Sequence, residues 1–465
     1  MKKRFIAVIF IITLLTTLSA CNKNDVNAKI QLWYYDFKND QSYIDYMKEV
    51  KDIVNSAKKF SEENDIPLEI VKYNAETMSH EDYILKRNIA AASGNIIIIE
   101  DINFLHTLAK WSADYSKLDS YKNLLNAYKN RFCIPLRIRP IGFHIDNRVL
   151  DYYGIDTSGK SIITYAEYLK IKQDIIKLGA RFELDYREYV QMIEGHLSEN
   201  GLLIIDAEDE IFKNIDNFKG ALKKSIIGVC NDIASYYDRD LSLAYGSSDY
   251  EIDEYMYDKN SQLPFKLKTT LLQSITDPYM FKGDDIENKI FVAYYKYWGS
   301  SPFFYMYKKI TNNRIYELAN HIISESNYAK SLDNYKIKYR YPSLLPLYNT
   351  EEIRKEFRVD ENWKFNTYED LGKSSEIIKK LVSDAYEVLV LDEEKSKEIV
   401  DCYYSNADYM SEIEWFIRST IDSVAHEISG DQLSLKSFDS NDENVNKIID
   451  DKIDEFINNF NVHYK

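Results

Sequence analysis

The chain of 465 residues is 45% hydrophobic and carries a formal net charge of −16. This hydrophobic content excludes a largely disordered chain, and the length is enough for two or three domains with sizeable cores. The negative charge argues against nucleic acid or an anionic lipid surface as the main partner.

The N-terminal segment has the pattern of a cleavable export signal. Residues 2–4 are basic, residues 5–18 form a nearly unbroken apolar stretch, and Ser19, Ala20 and Cys21 follow. Such a stretch suits the core of a signal peptide and is short for a permanent membrane span. The ending Leu-Ser-Ala-Cys resembles the lipobox of bacterial lipoproteins, so we expect residues 1–20 to be removed and Cys21 to carry lipid. The alternative is an ordinary signal peptide followed by a coincidental cysteine.

Lipid on Cys21 would hold the chain on the extracytoplasmic face of a cell membrane, as on a Gram-positive-type cell surface, because burial of several acyl chains gives stable anchoring. Residues 22–29 are polar and aperiodic, so residues 21–29 are expected to form a lipidated, flexible tether. Since no later stretch approaches eighteen consecutive apolar residues, we expect no part of the mature chain to span the membrane.

The chain then alternates between strand and helix patterns. Residues 30–35, 68–73 and 96–99 are rich in β-branched and aromatic residues and predict strands. Residues 42–64 and 81–92 have the composition and spacing of helices. The four isoleucines of 96–99 indicate a strand buried on both faces, as in a parallel sheet. This β-α-β-α-β order predicts an α/β domain.

The remaining part of the chain is richer in helix. Residues 164–178 predict a helix in which Thr164 and Glu167 form a capping box. Residues 133–145 predict a strand that Pro135 and Pro140 interrupt. Further patterns predict a helical stretch at 104–111, a short strand at 202–205, and helices at 317–324, 375–391, 395–404, 412–429 and 445–460.

Residues 154–161 (GIDTSGKS) match the pattern of a phosphate-binding loop. That loop needs a buried strand before it and a helix that begins at its Lys-Ser end. Here residues 147–153 predict a helix before the loop, and residues 162–164 delay the next helix. We therefore expect no nucleotide site.

The sequence contains no recognisable catalytic or metal-binding motif. The seven histidines lack H-x-H and H-E-x-x-H spacing, and there is no nucleophile elbow or dinucleotide-binding fingerprint. We predict buried free thiols at Cys133, Cys230 and Cys402, although one pair could form a disulfide. Glu100 and Asp101 follow the isoleucine strand; they could be paired acid-base carboxylates, but acids at this position more often bind ligand hydroxyls or amines. We expect neither enzymatic activity, nor a cofactor, nor a bound metal.

Blocks spread over most of the chain follow the element order of a known family. The most specific block contains IPL (134–136), GFHID (142–146), LDYYGI (150–155) and TYAEY (164–168). Others are IQLWYYD (30–36), 86–100, 289–298, 318–324, 342–347 and 446–460. Together they resemble the family 1 extracellular solute-binding proteins of ABC importers, the group that contains maltose-binding protein. The chain departs from the family pattern at Ile96-Ile97-Ile98, where Pro-Asp-Val or Pro-Asp-Ile is usual, and at residues 288–292, where Gly-Lys-Val-Ala-Met is usual.

This resemblance implies an α/β fold of the class II periplasmic-binding-protein type, with two lobes, a helix-rich second half and a ligand cleft between the lobes. Lobe 1 would comprise residues 30–138 and about 310–345, and lobe 2 residues 139–309 and 346–465.

The resemblance also implies candidate ligand-binding residues. Tyr35 and Asp36 follow the first strand, Glu100 and Asp101 follow the third, and Trp298 ends a strand of the second lobe. Trp298 could stack on a sugar face, although a Trp packed between helices is an equally good interpretation.

The implied function is capture of a small polar solute, in the first place a carbohydrate, by a monomer that delivers it to ABC permease subunits in the membrane. A non-transport lipoprotein on the same scaffold, acting as a sensor accessory or a surface interaction protein, is the alternative. A secreted hydrolase is disfavoured because no triad, metal cluster or acid pair can be named.

Overall fold

The structure is a computed structural model. It describes residues 27–37, 43–137, 141–157, 159–178, 186–202, 214–236, 273–274, 289–293, 302–328, 347–351, 384, 387–388, 390, 392–404, 407–430 and 434–464. Cys21, Trp298 and most of the predicted segments 202–205 and 375–391 lie outside these ranges. Among the helices in the described ranges, none has the length and apolarity that a membrane crossing requires.

The chain forms two compact units. Unit 1 contains the described residues within 1–140, 298–369 and 385–397, and unit 2 those within 141–297, 370–384 and 398–465. The strands are β1 (Ile30–Asp36), β2 (Leu68–Asn74), β3 (Ile96–Glu100), β4 (Ile134–Pro135), β5 (Ile141–Asp146), β6 (Ile162–Thr164), β7 (Gln273–Ser274), β8 (Lys289–Ala293) and β9 (Phe303–Met306). The helices are α1 (Ile44–Glu63), α2 (His80–Ala91), α3 (Asn147–Tyr152), α4 (Tyr165–Lys177), α5 (Tyr186–Glu199), α6 (Ile215–Tyr236), α7 (Ile315–Ile322), α8 (Glu393–Tyr403), α9 (Ala407–Ser429) and α10 (Glu443–Tyr464).

Unit 1 is built on a five-stranded sheet in the order β2-β1-β3-β9-β4. Strands β1, β2 and β3 are parallel, whereas β9 is antiparallel to both β3 and β4. Every residue of β3 is buried, as the isoleucine run predicts. The parallel β2-β1-β3 part has the order of a doubly wound α/β sheet, in which successive crossovers run to opposite sides of β1.

Two sets of polar contacts join residues 311–321 to the N-terminal part of unit 1. Helix α1 packs on α7, where the His321 ring stacks on Phe60 at 4.2 Å between ring centroids and its Nε2 is 2.9 Å from the Ser56 hydroxyl. Before β3, the Asn95 carboxamide oxygen accepts from the amides of Thr311 and Asn312 at 2.8 and 2.9 Å. Segments more than 200 residues apart are therefore joined by hydrogen bonds as well as by apolar packing.

Unit 2 combines a small sheet with a helical layer. Its sheet has the order β6-β8-β5-β7, with β8 parallel to β6 and antiparallel to β5. Helices α5, α6, α9 and α10 pack on one another, and Phe416 stacks on Phe456 at 4.2 Å. Gly228 on α6 faces the His196 ring so closely that a Cβ there would lie 2.5 Å from Nδ1. The apolar core joins this sheet to these helices.

The α/β class with two units is confirmed, and most predicted elements occur within a few residues of their expected bounds. The segment at 104–111 is not an α-helix but a pair of 3₁₀ turns, Ile102–Phe104 and His106–Trp111. The predicted strand at 133–145 is divided into β4 of unit 1 and β5 of unit 2. The predicted boundary between the lobes at 309/310 assigns β9 to lobe 2. In the structure β9 pairs with β3 and so belongs to unit 1. The phosphate-loop pattern joins α3 to strand β6, not a strand to a helix.

The capping box of α4 has the predicted geometry. The Glu167 amide donates to the Thr164 hydroxyl at 3.1 Å, and the Thr164 amide donates to the Glu167 carboxylate at 2.9 Å. Two amides at the start of the helix, which have no partner within it, are thereby satisfied.

Thr164→Ala should lower the free energy of unfolding by about 1 kcal/mol because it removes the acceptor for the Glu167 amide. Urea denaturation measures the loss. Glu167→Gln is the matched control, since a glutamine also completes a capping box and should change the midpoint less. Equal midpoints for wild type and Thr164→Ala would contradict the assigned capping role.

Candidate functional site

The carboxyl ends of β1, β2 and β3 meet at one edge of the unit 1 sheet, because the three strands are parallel. The strand order reverses between β1 and β3. In open α/β sheets, ligands bind outside the carboxyl ends of the strands at this kind of switch point. Tyr35 and Asp36 end β1, and Glu100 ends β3, so the structure brings predicted residues together at this edge.

Strand alternation sends Tyr35 and Asp36 to opposite faces of the sheet. The Tyr35 ring lies on the α2 side, 5.2 Å from the Tyr83 ring, and its hydroxyl donates to the Met78 carbonyl at 2.9 Å. Burial, and then the nearby Glu100 charge, raise the pKa of Tyr35, which keeps its hydroxyl protonated as a donor.

Asp36 is held by two lysines on the other face. One carboxylate oxygen lies 2.7 Å from Lys72 Nζ and the other 3.4 Å from Lys51 Nζ. The carboxylate is 1% exposed, whereas both lysines reach solvent. Burial raises the pKa of Asp36, but the two ammonium groups more than offset this effect and leave it below its usual value. Asp36 is therefore occupied by internal partners.

Glu100 lies in a buried ionic cluster. Its Oε2 accepts from Arg87 Nη1 at 2.6 Å, and its Oε1 lies 2.9 Å from His80 Nε2. Arg87 is fully buried and also donates to the Phe104 carbonyl at 2.6 Å and to the Asn88 side chain. Both oxygens of this predicted ligand residue are thus engaged by α2.

Aromatic rings surround this ionic cluster. The His80 ring lies 4.7 Å from Tyr35, 4.9 Å from Phe37 and 4.3 Å from Phe104. Phe37 in turn stacks on Tyr43 at 4.4 Å. The rings of Phe37, Tyr43 and Phe104 are only half-buried. We call the following residues the edge cluster: Tyr35, Phe37, Tyr43, His80, Tyr83 and Phe104.

Asp101 and Asn74 shape the neighbouring turns. Asp101 Oδ1 accepts from the Asn103 amide at 3.0 Å and from its carboxamide at 2.6 Å, and so caps the first 3₁₀ turn. The Asn74 side chain accepts from the amides of Glu76 and Thr77 in the same way. These groups fix the backbone at the edge.

The ligand role of Tyr35, Asp36, Glu100 and Asp101 stays a prediction, and Trp298 lies outside the described residues. Sequence reasoning missed His80, Arg87 and Tyr83, which share one face of α2. The available signal was their spacing of three and four residues, which puts an arginine and a histidine on the buried side of a helix.

The described residues contain no group of three or more metal-ligating side chains. Neither Cys133 nor Cys230 forms a disulfide with a described residue, and both are buried, as predicted. Burial raises the pKa of the Cys230 thiol, and burial together with the Asp101 charge raises that of Cys133. Both thiols are therefore held in the unreactive protonated form.

No protein-family model and no curated protein sequence matches the chain. Similar solved structures include family 1 extracellular solute-binding proteins, the family that the sequence resembles. The one from Bifidobacterium longum subsp. infantis aligns over 84% of this chain and 99% of its own, with 12% identity and a TM-score of 0.41. The one from Alicyclobacillus acidocaldarius aligns over 85% of this chain and 99% of its own, with 11% identity and a TM-score of 0.39.

A cyclic alpha-maltosyl-1,6-maltose binding protein from Arthrobacter globiformis aligns over 91% of this chain and 99% of its own, with 12% identity and a TM-score of 0.40. Identities and TM-scores at this level carry no inference about the ligand of this chain.

Arg87→Met should cost about 3–5 kcal/mol of unfolding free energy, because it leaves the buried Glu100 carboxylate without its main partner. Denaturant titration at neutral pH measures the loss. The double variant Arg87→Met/Glu100→Gln should recover part of it, since no buried charge is left uncompensated. A double variant less stable than Arg87→Met alone would show that the Glu100 charge is not the source of the cost.

Proposed function

We propose that the chain is an extracytoplasmic binding protein that captures a small polar solute, in the first place a carbohydrate, for an ABC importer. The observation that carries this proposal is the edge cluster. In this cluster, half-buried aromatic rings and a histidine lie close together at the switch point of an open α/β sheet. Aromatic faces suit the apolar faces of sugar rings, and a few polar groups among them give orientation.

The state of the acidic residues supports binding rather than acid-base catalysis. Glu100 is engaged by Arg87 and His80, and Asp36 by Lys51 and Lys72. A general acid or base must exchange a proton with its substrate, and carboxylates fixed by two internal partners are poorly placed for that exchange.

We further propose that Cys21 anchors the protein by lipid to the outer face of the cell membrane. The support is the sequence pattern of residues 1–21 and the polar stretch 22–29. The tether would keep a monomeric receptor close to its permease in a cell with a single membrane.

One observation favours a second function. Because Glu100 and Asp36 are both occupied internally, two of the predicted polar ligands are withdrawn from the site. A non-transport lipoprotein on the same scaffold, acting as a sensor accessory or surface interaction protein, would need no solute. Permease genes beside the coding sequence would support transport, and a histidine kinase gene would support the second function.

A panel of glucose, maltose, maltotriose, cellobiose, spermidine and a tripeptide tests solute binding by thermal unfolding. A ligand at a hundredfold excess over its Kd adds about 2.7 kcal/mol to the stability of the folded protein, so a cognate sugar should raise Tm by several degrees. Tyr43→Ala should weaken this response, whereas the matched control Tyr152→Ala, which removes an exposed tyrosine from α3 of unit 2, should not. No shift with any member of an extended panel would refute the proposal.

Cys21→Ser should abolish lipid attachment, because the thiol is the acylated group. Metabolic labelling with a palmitate analogue, followed by membrane fractionation, measures the effect. The Cys133→Ser control should stay labelled, since that thiol is buried in the folded protein. Labelling of Cys21→Ser, or a mature N-terminus other than residue 21, would refute the lipoprotein assignment.

A further inference from the structure

The His80 ring is fixed in one orientation. Its Nε2 is 2.9 Å from a carboxylate oxygen of Glu100, and the rings of Tyr35, Phe37 and Phe104 enclose it at 4.3–4.9 Å between centroids. The side chain nevertheless keeps 18% of its surface exposed to solvent. One side of the ring is thus bound by the protein while part of it stays accessible.

The contact with Glu100 also fixes the tautomer. A carboxylate only accepts hydrogen bonds, so Nε2 carries the proton that it donates to Glu100. In the neutral ring the lone pair then resides on Nδ1, and Nδ1 forms no hydrogen bond with any described residue. A hydrogen-bond acceptor is thereby presented among half-buried aromatic rings.

Arg87 keeps Glu100 in the position that this arrangement needs. It binds the other carboxylate oxygen at 2.6 Å, and neither side chain is more than 1% exposed. Rotation of the carboxylate away from His80 would break the contact with Arg87 and leave a buried charge unpaired, which is costly.

We propose that His80 Nδ1 accepts a hydrogen bond from a hydroxyl group of the bound solute, and that Glu100 and Arg87 are positioning residues for its ring. This inference rests on the proposed function, because it concerns the same site. It specifies a solute that carries a hydroxyl next to an apolar face, as sugar rings do. Glu100 then acts on the ligand through His80 and not by direct contact.

Two substitutions at His80 separate positioning from ligand contact. A glutamine can place its amide near the Nε2 position and keep the contact with Glu100, but it has no group at Nδ1. An asparagine places a polar group near Nδ1 and loses the contact with Glu100. Calorimetric titration with the panel sugar that gives the largest thermal shift should show roughly tenfold weaker binding for His80→Gln, with a smaller loss for His80→Asn. The free energy of unfolding should fall more for His80→Asn, which loses the contact with Glu100, than for His80→Gln, which keeps it.

His196→Gln is the matched control. His196 is 17% exposed, its Nε2 lies 2.8 Å from the Asp232 carboxylate and its Nδ1 lies 3.4 Å from the Glu199 carboxylate, so it is a similarly buried, carboxylate-paired histidine in unit 2. Its substitution should leave the affinity within about twofold of wild type. If His80→Gln binds the sugar with wild-type affinity, or if the ¹⁵N spectrum of the His80 imidazole shows the proton on Nδ1, this inference is wrong. Either result leaves the proposed function intact. Failure of the wild-type chain to bind any panel solute would overturn the proposed function and this inference with it.

Discussion

The buried pairing of Arg87 with Glu100 constrains the whole edge of the unit 1 sheet. An arginine without solvent exposure has to satisfy its donors inside the protein, and here they reach Glu100, Asn88 and the Phe104 carbonyl. These contacts join α2, the end of β3 and the first 3₁₀ turn. If α2, β3 or the 3₁₀ turn moved away from the other two, a charge or a carbonyl would be left unpaired in a low-dielectric interior. The position of His80 follows from that constraint.

The same edge shows how strand alternation divides chemistry between two faces. On the α1 side, Asp36 is neutralised by lysines whose ammonium groups remain in contact with solvent. On the α2 side, the ionic groups are buried and aromatic rings enclose them. The face with the half-buried rings offers apolar surface, and the Glu100 charge behind it is paired with Arg87. Under the proposed function, such a surface would favour neutral hydroxylated molecules over ions, since an ion would lose its hydration without gaining an unpaired counter-charge.

The parts of the fold that depend on local patterns could be predicted from the sequence. The β-α-β-α-β opening, the fully buried β3 and the Thr164–Glu167 box each arise from residues close together in the chain. The partners of Glu100 could not be predicted, because they depend on which face of α2 packs against β3. The insertion of β9 beside β3 was also missed, since strands about 200 residues apart leave no shared local pattern. The sequence therefore placed Tyr35, Asp36, Glu100 and Asp101 at one edge of the sheet, and it did not indicate the α2 residues that contact Glu100.

The place of β9 has a consequence for biogenesis. During synthesis β3 is made long before Phe303–Met306, so one edge of a strand of four isoleucines has no partner until about 200 further residues have been made. An unpaired apolar edge is a template for aggregation, and contacts between distant segments form slowly. Unit 1 is therefore expected to complete its sheet only after residues 303–306 have been made. Folding of the segment that contains β1, β2 and β3 before β9 has been made would yield only a partial sheet.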